Sequence, residues 1–187
     1  MTGYSMKKKR QALVDTALTL FYQKGINNTG INDILKVSGI AKNTLYSHFN
    51  SKEELIIAAL EQRHSMFVNW LKEKLEGSKT NEDVVIRLFT GLEEWFSGQD
   101  PELGDFRGCF FVNSSAEFSK KDDPIPLFCL YHKEKVRDLI EEYLPTKDPL
   151  LLDAICLMKE GATTAAYVSN DFAASKKCIY ILNKFLD

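Results

Sequence analysis

The chain has 187 residues, 44% hydrophobic and 27% charged, an ordinary globular balance with room for one domain or for a small domain joined to a larger one. No apolar run approaches the roughly eighteen residues of a membrane span, and the basic Lys7, Lys8, Lys9 and Arg10 lead into an amphipathic pattern rather than a signal core, so neither a membrane nor secretion is expected and the reading is cytoplasmic. The net charge of −2 hides a basic head (residues 1–60, eight Lys and Arg against four acids) on an acidic body (sixteen against twenty-two), which suits a protein whose one end meets a polyanion.

The first helix is expected from Met6 or Lys7 to about Lys24, because Leu13, Val14, Ala17, Leu20 and Phe21 recur at helical period and Gly25 supplies a stop. Thr29 is expected to cap a helix opening at Gly30 or Ile31. From Ile31 to Phe49, INDILKVSGIAKNTLYSHF reads as two short helices around Gly39, with Ile34 and Leu35 inward in the first and Leu45 and Phe49 in the second. Lys42, Asn43, Thr44, Tyr46, Ser47 and His48 are left outward on the second helix, a mostly short polar face of the kind that enters a DNA major groove. In that reading Asn43 pairs with an adenine edge, Lys42 with guanine acceptors, and the Thr44 methyl with thymine. Tyr46, His48 and Lys52 reach phosphates, and Thr29 donates to the backbone on the other flank. A bland helical hairpin accounts for the same stretch, with Tyr46 packed against the first of the two helices.

Ser51 followed by Glu54 is a capping box that opens a long helix to about Leu75, with Leu55, Ala58, Ala59, Met66 and Trp70 along one side. Residues 77–83 read as a loop, 84–96 as an amphipathic helix through Val85, Leu88, Phe89, Leu92 and Phe96, and 97–106 as turns around Gly98, Pro101 and Gly104. CFFV at 109–112 is strand-like by propensity but is read as a buried helix, because no second strand exists to pair with it. Further helices are expected from about 126 to Tyr143, with Phe128, Tyr131, Val136, Leu139 and Ile140 inward, from Leu150 to about Ser169, and from Ala173 to Phe185. The class is all-α, with about nine helices.

The middle of the chain is rich in aromatics. Phe67, Trp70, Phe89, Trp95, Phe110, Phe128 and Tyr131, with Asn113, Ser114, Glu117 and His132 as polar points, either line a pocket for a small apolar or aromatic molecule or fill a core. Cys109 follows Gly108 at an expected helix start beside Arg107, where dipole and guanidinium favour a thiolate; a small residue packed at that start is the plainer reading. Cys129, Cys156 and Cys178 are expected in the core, and the four cysteines have no paired spacing for zinc or a disulfide scaffold. No metal or cofactor is expected, the histidines at 48, 64 and 132 being dispersed, and no catalytic motif asks for an enzyme. Leu157, Gly161, Ala165, Ile179, Leu182 and Phe185 on the last two helices combine small and apolar side chains, as a surface between two copies would.

From Lys9 to Leu60 the chain resembles the DNA-binding domain of TetR-family transcriptional regulators. ALVDTALTLFYQKG, Thr29, INDILKVSGIAKNTLYSHF and SKEEL carry the likeness, at the family's spacing and without gaps. The chain departs from the pattern at Ala41, where a serine or threonine cap is usual, at Asn43, where a small residue is frequent, and at Leu35, where alanine is. The resemblance implies a three-helix head with a helix-turn-helix at 1–50, the connecting helix starting at 51–60, and a larger helical domain over 51–187 for effector binding and dimerisation. It implies repression from a palindromic double-stranded operator, a homodimer built on the last two helices, and release by a small effector. The contact set it carries over is Thr44, Tyr46, His48 and Lys52. Some family members sense oxidants or electrophiles through a cysteine, which makes thiol sensing at Cys109 an alternative. An all-helical interaction protein without DNA binding is the rival from another class; it leaves the polar face at 42–48 and the charge division unexplained.

Overall fold

The computed structural model describes residues 2–186, with side chains from Met6 onward; the assigned chain ends at Met1 and Asp187 lie outside the described residues. Among the described residues there are nine helices and no strand: α1 (Thr2–Lys24), α2 (Ile31–Ser38), α3 (Lys42–Tyr46), α4 (Lys52–Leu75), α5 (Asn81–Phe96), α6 (Phe110–Ala116), α7 (Pro124–Tyr143), α8 (Pro149–Ser169) and α9 (Ala174–Asn183). They form two compact units. One joins the residues up to Ser65 to Phe110–Tyr131, and the other joins Met66–Cys109 to the residues from His132 on. The unit holding the head therefore takes in more chain than the 1–50 read from sequence: the first half of α4, all of α6 and the start of α7.

In the head unit the helical stripe of α1 becomes a core. Leu13, Ala17, Phe21 and Ile26 are buried together with Ile34 of α2, Leu45 of α3, Phe49, and Leu55 and Leu60 of α4. α2 ends at Gly39, whose φ of 67° lets its amide close on the Leu35 carbonyl at 3.0 Å, a conformation a side chain would strain. α3 opens at Ala41 with no side-chain cap, so the departure from the family's serine or threonine is real at this helix start. Half of the expected Ser51 box forms: Ser51 Oγ accepts the Glu54 amide at 3.1 Å, but the return bond runs from the Asn50 amide, one residue before the cap, to the Glu54 carboxylate at 2.8 Å.

In the second unit Trp70, Leu75, Val85, Leu88, Phe89, Leu92, Leu139, Ile140, Leu151, Ile155 and Leu182 share one buried cluster. α5 starts at Asn81, inside the stretch read as loop, because Thr80 Oγ1 accepts the Asp83 amide at 3.0 Å while Asp83 accepts the Thr80 amide at 3.1 Å. α4 and α5 approach closely at Gly91, where a Cβ would lie 3.1 Å from the Trp70 ring and 3.2 Å from the Lys74 stem. Trp70 Nε1 donates to Asp100 at 2.7 Å, and Lys74 pairs with the same carboxylate at 3.3 Å. Burial works against ionising Asp100, but the Leu103 amide, the indole and the ammonium outweigh it and hold the carboxyl below its ordinary range. Asp148 caps α8 by accepting the Leu150 and Leu151 amides, with Pro149 in the first turn. No described helix is long and apolar enough to cross a membrane.

Candidate nucleic-acid interface

α3 is five residues long and commits one of them, Leu45, to the core. Lys42, Asn43, Tyr46 and Ser47 stand exposed and Thr44 half-buried. Tyr46 keeps 45% of its surface in water, with Lys42 Nζ 6.0 Å from its ring centroid, so the packed-tyrosine version of the hairpin does not describe this residue. Ser47 Oγ donates back to the Thr44 carbonyl at 2.7 Å. The exposed run Lys7–Arg10 adds charge to this unit, and Arg10 lies over Phe49, 5.0 Å from the ring centroid, directly after α3 in the fold. Sequence reading counted Arg10 only as bulk charge; nothing in its spacing tied it to Phe49.

Three expected phosphate contacts are placed differently. Thr29 is fully buried, and its hydroxyl donates to the Gly25 carbonyl at 2.8 Å; it faces the turn, not a duplex, and Gly30 rather than Thr29 caps α2. His48 is half-buried with its Nε2 enclosed and unpartnered, which takes that nitrogen away from an external phosphate. Lys52 Nζ donates to the Ile26 carbonyl at 2.7 Å and lies 5.9 Å from the Phe21 ring centroid. Burial lowers the Lys52 pKa from its ordinary value, and the nearby Glu117 carboxylate only partly opposes that.

Glu117, expected as a polar point in a pocket, instead serves the α1–α2 turn. One carboxylate oxygen accepts the Ile26 amide at 2.8 Å and the other the Asn27 amide at 2.7 Å. In the same unit Phe110 packs edge-on to Tyr22 at 5.7 Å between centroids, and Phe128 and Tyr131 lie against His64 at 6.0 and 5.5 Å. Tyr131 is exposed rather than inward. Ser114 is buried with its hydroxyl unpartnered, and Asn113 is half-buried. The remaining aromatic candidates belong to the second unit. Phe67 stacks near Trp70, Trp95 and His132 at 5.2, 6.1 and 5.6 Å, and Phe89 is enclosed.

Cys109 is half-buried, and the cation beside its sulfur is Lys133, with Nζ at 3.3 Å, where sequence reading had expected Arg107. Lys133 also pairs with Glu160 at 2.6 Å, and Lys159 pairs with the same carboxylate. On the last two helices Leu157 is 73% exposed, Gly161 has open space above it, and Ala165 and Ile179 are half-buried; α9 stops at Asn183, so Phe185, expected as its last residue, lies in the turn that follows and is 61% exposed. Leu182 corrects the expectation: it is fully buried in its own chain's core. Among the described residues no cluster of three or more His, Cys, Asp or Glu is arranged to hold a metal.

The signature of bacterial regulatory proteins of the tetR family matches residues 13–59. The chain is 29% identical over 111 residues to the HTH-type transcriptional repressor ComR of Escherichia coli, covering 59% of this chain and 51% of that one. It is 27% identical over 118 residues to the repressor NemR of the same organism, covering 63% and 57%. The matched stretches span 25% to 61% of the length of the first curated relatives. The fold is that of a TetR-family regulator from Streptomyces coelicolor, at TM-score 0.82 and 23% identity over 95% of this chain and 94% of that one. Reduced NemR superposes at 0.78 and 22% identity, covering 95% and 96%. Residues 13–59 thus carry the DNA-binding signature of the tetR family of bacterial regulatory proteins, and the chain as a whole has the fold of TetR-family regulators.

Proposed function

We propose that this chain is a DNA-binding transcriptional repressor that works as a homodimer on a two-fold symmetric operator and is released by a small apolar or aromatic effector. The observation that carries the reading is α3, which buries Leu45 and turns Lys42, Asn43 and Tyr46 to solvent. A helix this short inserts its first turn into a major groove, where Lys42 and Asn43 meet guanine and adenine edges and the Thr44 methyl meets thymine. Tyr46 and the basic run at 7–10 supply phosphate contacts. The repressors ComR and NemR among its relatives favour the same direction of control.

One head covers only a few base pairs, so a second copy is needed to read half-sites about 34–36 Å apart or further. Leu150, Leu157 and Val168 on α8, Tyr180 on α9 and Phe185 just beyond it are exposed apolar side chains of the kind that a second copy would cover. The aromatic residues of the second unit suit an effector without strong charge, which acts by binding two states of the protein with different affinity. Such a regulator works where the chromosome is, in the cytoplasm. Selection of bound duplexes from a random pool, followed by inspection for two-fold symmetry, tests the reading. Enrichment of no sequence by folded, effector-free protein would remove it.

A second reading, thiol sensing, is favoured by the Lys133 ammonium 3.3 Å from Cys109. The contact sets a cation within hydrogen-bond reach of the sulfur, the kind of setting in which a cysteine meets an oxidant or electrophile. Equal operator binding before and after alkylation of Cys109 would discard it.

A further inference from the structure

We propose that Glu117 is a positioning residue for DNA binding: its carboxylate fixes the α1–α2 turn, so that displacement of the 110–131 segment lowers the affinity of the head for its operator. The inference rests on the DNA-binding reading above.

The turn has amides to satisfy. α1 ends at Gly25, in a left-handed conformation with φ of 88°, and its amide closes on the Phe21 carbonyl at 2.9 Å. The next two amides, Ile26 and Asn27, point out of the helix and meet the two Glu117 oxygens at 2.8 and 2.7 Å. Asn27 Nδ2 returns a third bond to the Glu117 carbonyl at 3.2 Å. These partners stand 90 and 91 positions apart in sequence, so the contact is made by the fold and not by the local chain. Bonds from amides to an ionised carboxylate are about twice as strong as neutral ones, and two in parallel also fix orientation.

The opposite side of the same peptide is held from within the head. Lys52 Nζ donates to the Ile26 carbonyl at 2.7 Å, and Thr29 Oγ1 to the Gly25 carbonyl at 2.8 Å. The turn is thus gripped between a carboxylate from 110–131 and a lysine at the start of α4, and the two charges attract. Gly25 is required twice here, by its φ and because a Cβ would stand 3.2 Å from Glu117 Oε1. The turn leads at once into α2, which packs on α1 as α3 does, and Ile34 of α2 and Leu45 of α3 are both fully buried in this unit. A turn that drifts moves the start of α2 and with it the support of the reading helix. The segment that delivers Glu117 is itself anchored, since Phe110 and Phe111 are buried and Phe110 packs on Tyr22 of α1.

The experiment compares the full-length wild type with Glu117→Gln and with the milder, exposed Asn27→Ala. The probes are a duplex selected by the wild type and an unrelated duplex; amide exchange at Ile26 and Asn27 is measured without DNA. Glu117→Gln is expected to speed exchange at both amides and to weaken the selected duplex about tenfold, the low end for losing a charge-assisted hydrogen bond. The ranking of bases is expected to stay the same, with Asn27→Ala moving affinity in the same direction by less. Unchanged affinity in a folded Glu117→Gln protein overturns the proposal, even if exchange accelerates. Should that variant fail to fold, unchanged affinity in Glu117→Asp, whose shorter side chain draws the carboxylate back from the two amides, overturns it. A wild type that selects no duplex removes the DNA-binding reading, and this role with it, whereas the exchange data still decide whether Glu117 holds the turn.

Discussion

Lys133 Nζ lies between two acceptors, 3.3 Å from the Cys109 sulfur and 2.6 Å from a Glu160 carboxylate oxygen. Burial works against the Lys133 charge, but the facing Cys109 and Glu160 groups outweigh it and raise the pKa above its ordinary value. The ammonium thus persists within hydrogen-bond reach of the sulfur, where it can hold that side chain in place during attack on an electrophile. Lys133→Met is therefore expected to slow alkylation of Cys109 severalfold relative to Cys156, followed by mass spectrometry on the intact chain. Equal rates in the two proteins would mean that the lysine serves Glu160 alone.

Glu160 faces two cations, Lys133 and Lys159, and is 36% exposed. Burial opposes its charge, yet the attraction of Lys159 and Lys133 prevails and brings its pKa from 4.5 to about 2. The folded pKa is depressed, so the stabilisation is fully present above pH 4.5 and is lost as pH falls toward 2. Denaturation midpoints for wild type and Glu160→Gln should converge across that window. Near neutral pH the variant is expected to be less stable by about 2 kcal/mol, below the range for a fully buried pair because water screens part of the interaction. A difference that does not change with pH would assign the loss to packing.

Base reading is expected to reside in the first turn of α3. Asn43→Ala or Lys42→Ala should each remove about 1–3 kcal/mol of discrimination at one base position of each half-site, seen as a flattened column in a selected-sequence profile. Lys52 is expected to behave otherwise, because its Nζ is already given to the Ile26 carbonyl. Lys52→Met should weaken all duplexes alike while changing the slope of log K against log salt by well under the ~0.9 that a lost phosphate contact produces. A full unit of slope would show that Lys52 leaves Ile26 for DNA.

The contrast between Asn43 and Lys52 shows how much could be read in advance. The helical spacing of apolar positions in α1–α3 and the turn after them placed Leu13, Phe21, Ile34, Leu45 and Phe49 inside, because short helices around a single glycine leave little choice of face. Lys52 and Thr29 were misplaced because a long or hydroxylated side chain near a helix start suits a phosphate and a free carbonyl equally well, and only the fold brings Ile26 within reach. Glu117 gave no signal, since its partners are backbone amides, which every residue carries. In α9 the apolar residues outnumber one helix face. Periodicity placed Cys178 in the core, where it lies, but did not separate Leu182, which is enclosed, from Phe185, which faces water.

That exposed face yields the last prediction. Leu150, Leu157, Gly161 and Val168 follow one side of α8, and Tyr180 and Ile181 on α9 and Phe185 in the turn after it are further exposed apolar positions. Leu157 is 73% exposed and has no inward role to lose, so a charge there leaves the fold intact and acts on whatever covers the face. In a dimer, Leu157→Glu buries two carboxylates near the symmetry axis, where like charges face each other without partners. It is expected to sediment as a monomer at micromolar concentration with an unchanged far-UV spectrum. It should bind the operator about a hundredfold more weakly, because two linked heads gain through effective concentration and one head does not. Ile86→Glu, at another exposed apolar position on α5, is expected to change neither property. A Leu157→Glu protein that remains dimeric would move the interface away from α8, and one that becomes monomeric yet binds as tightly as before would mean that a single head suffices.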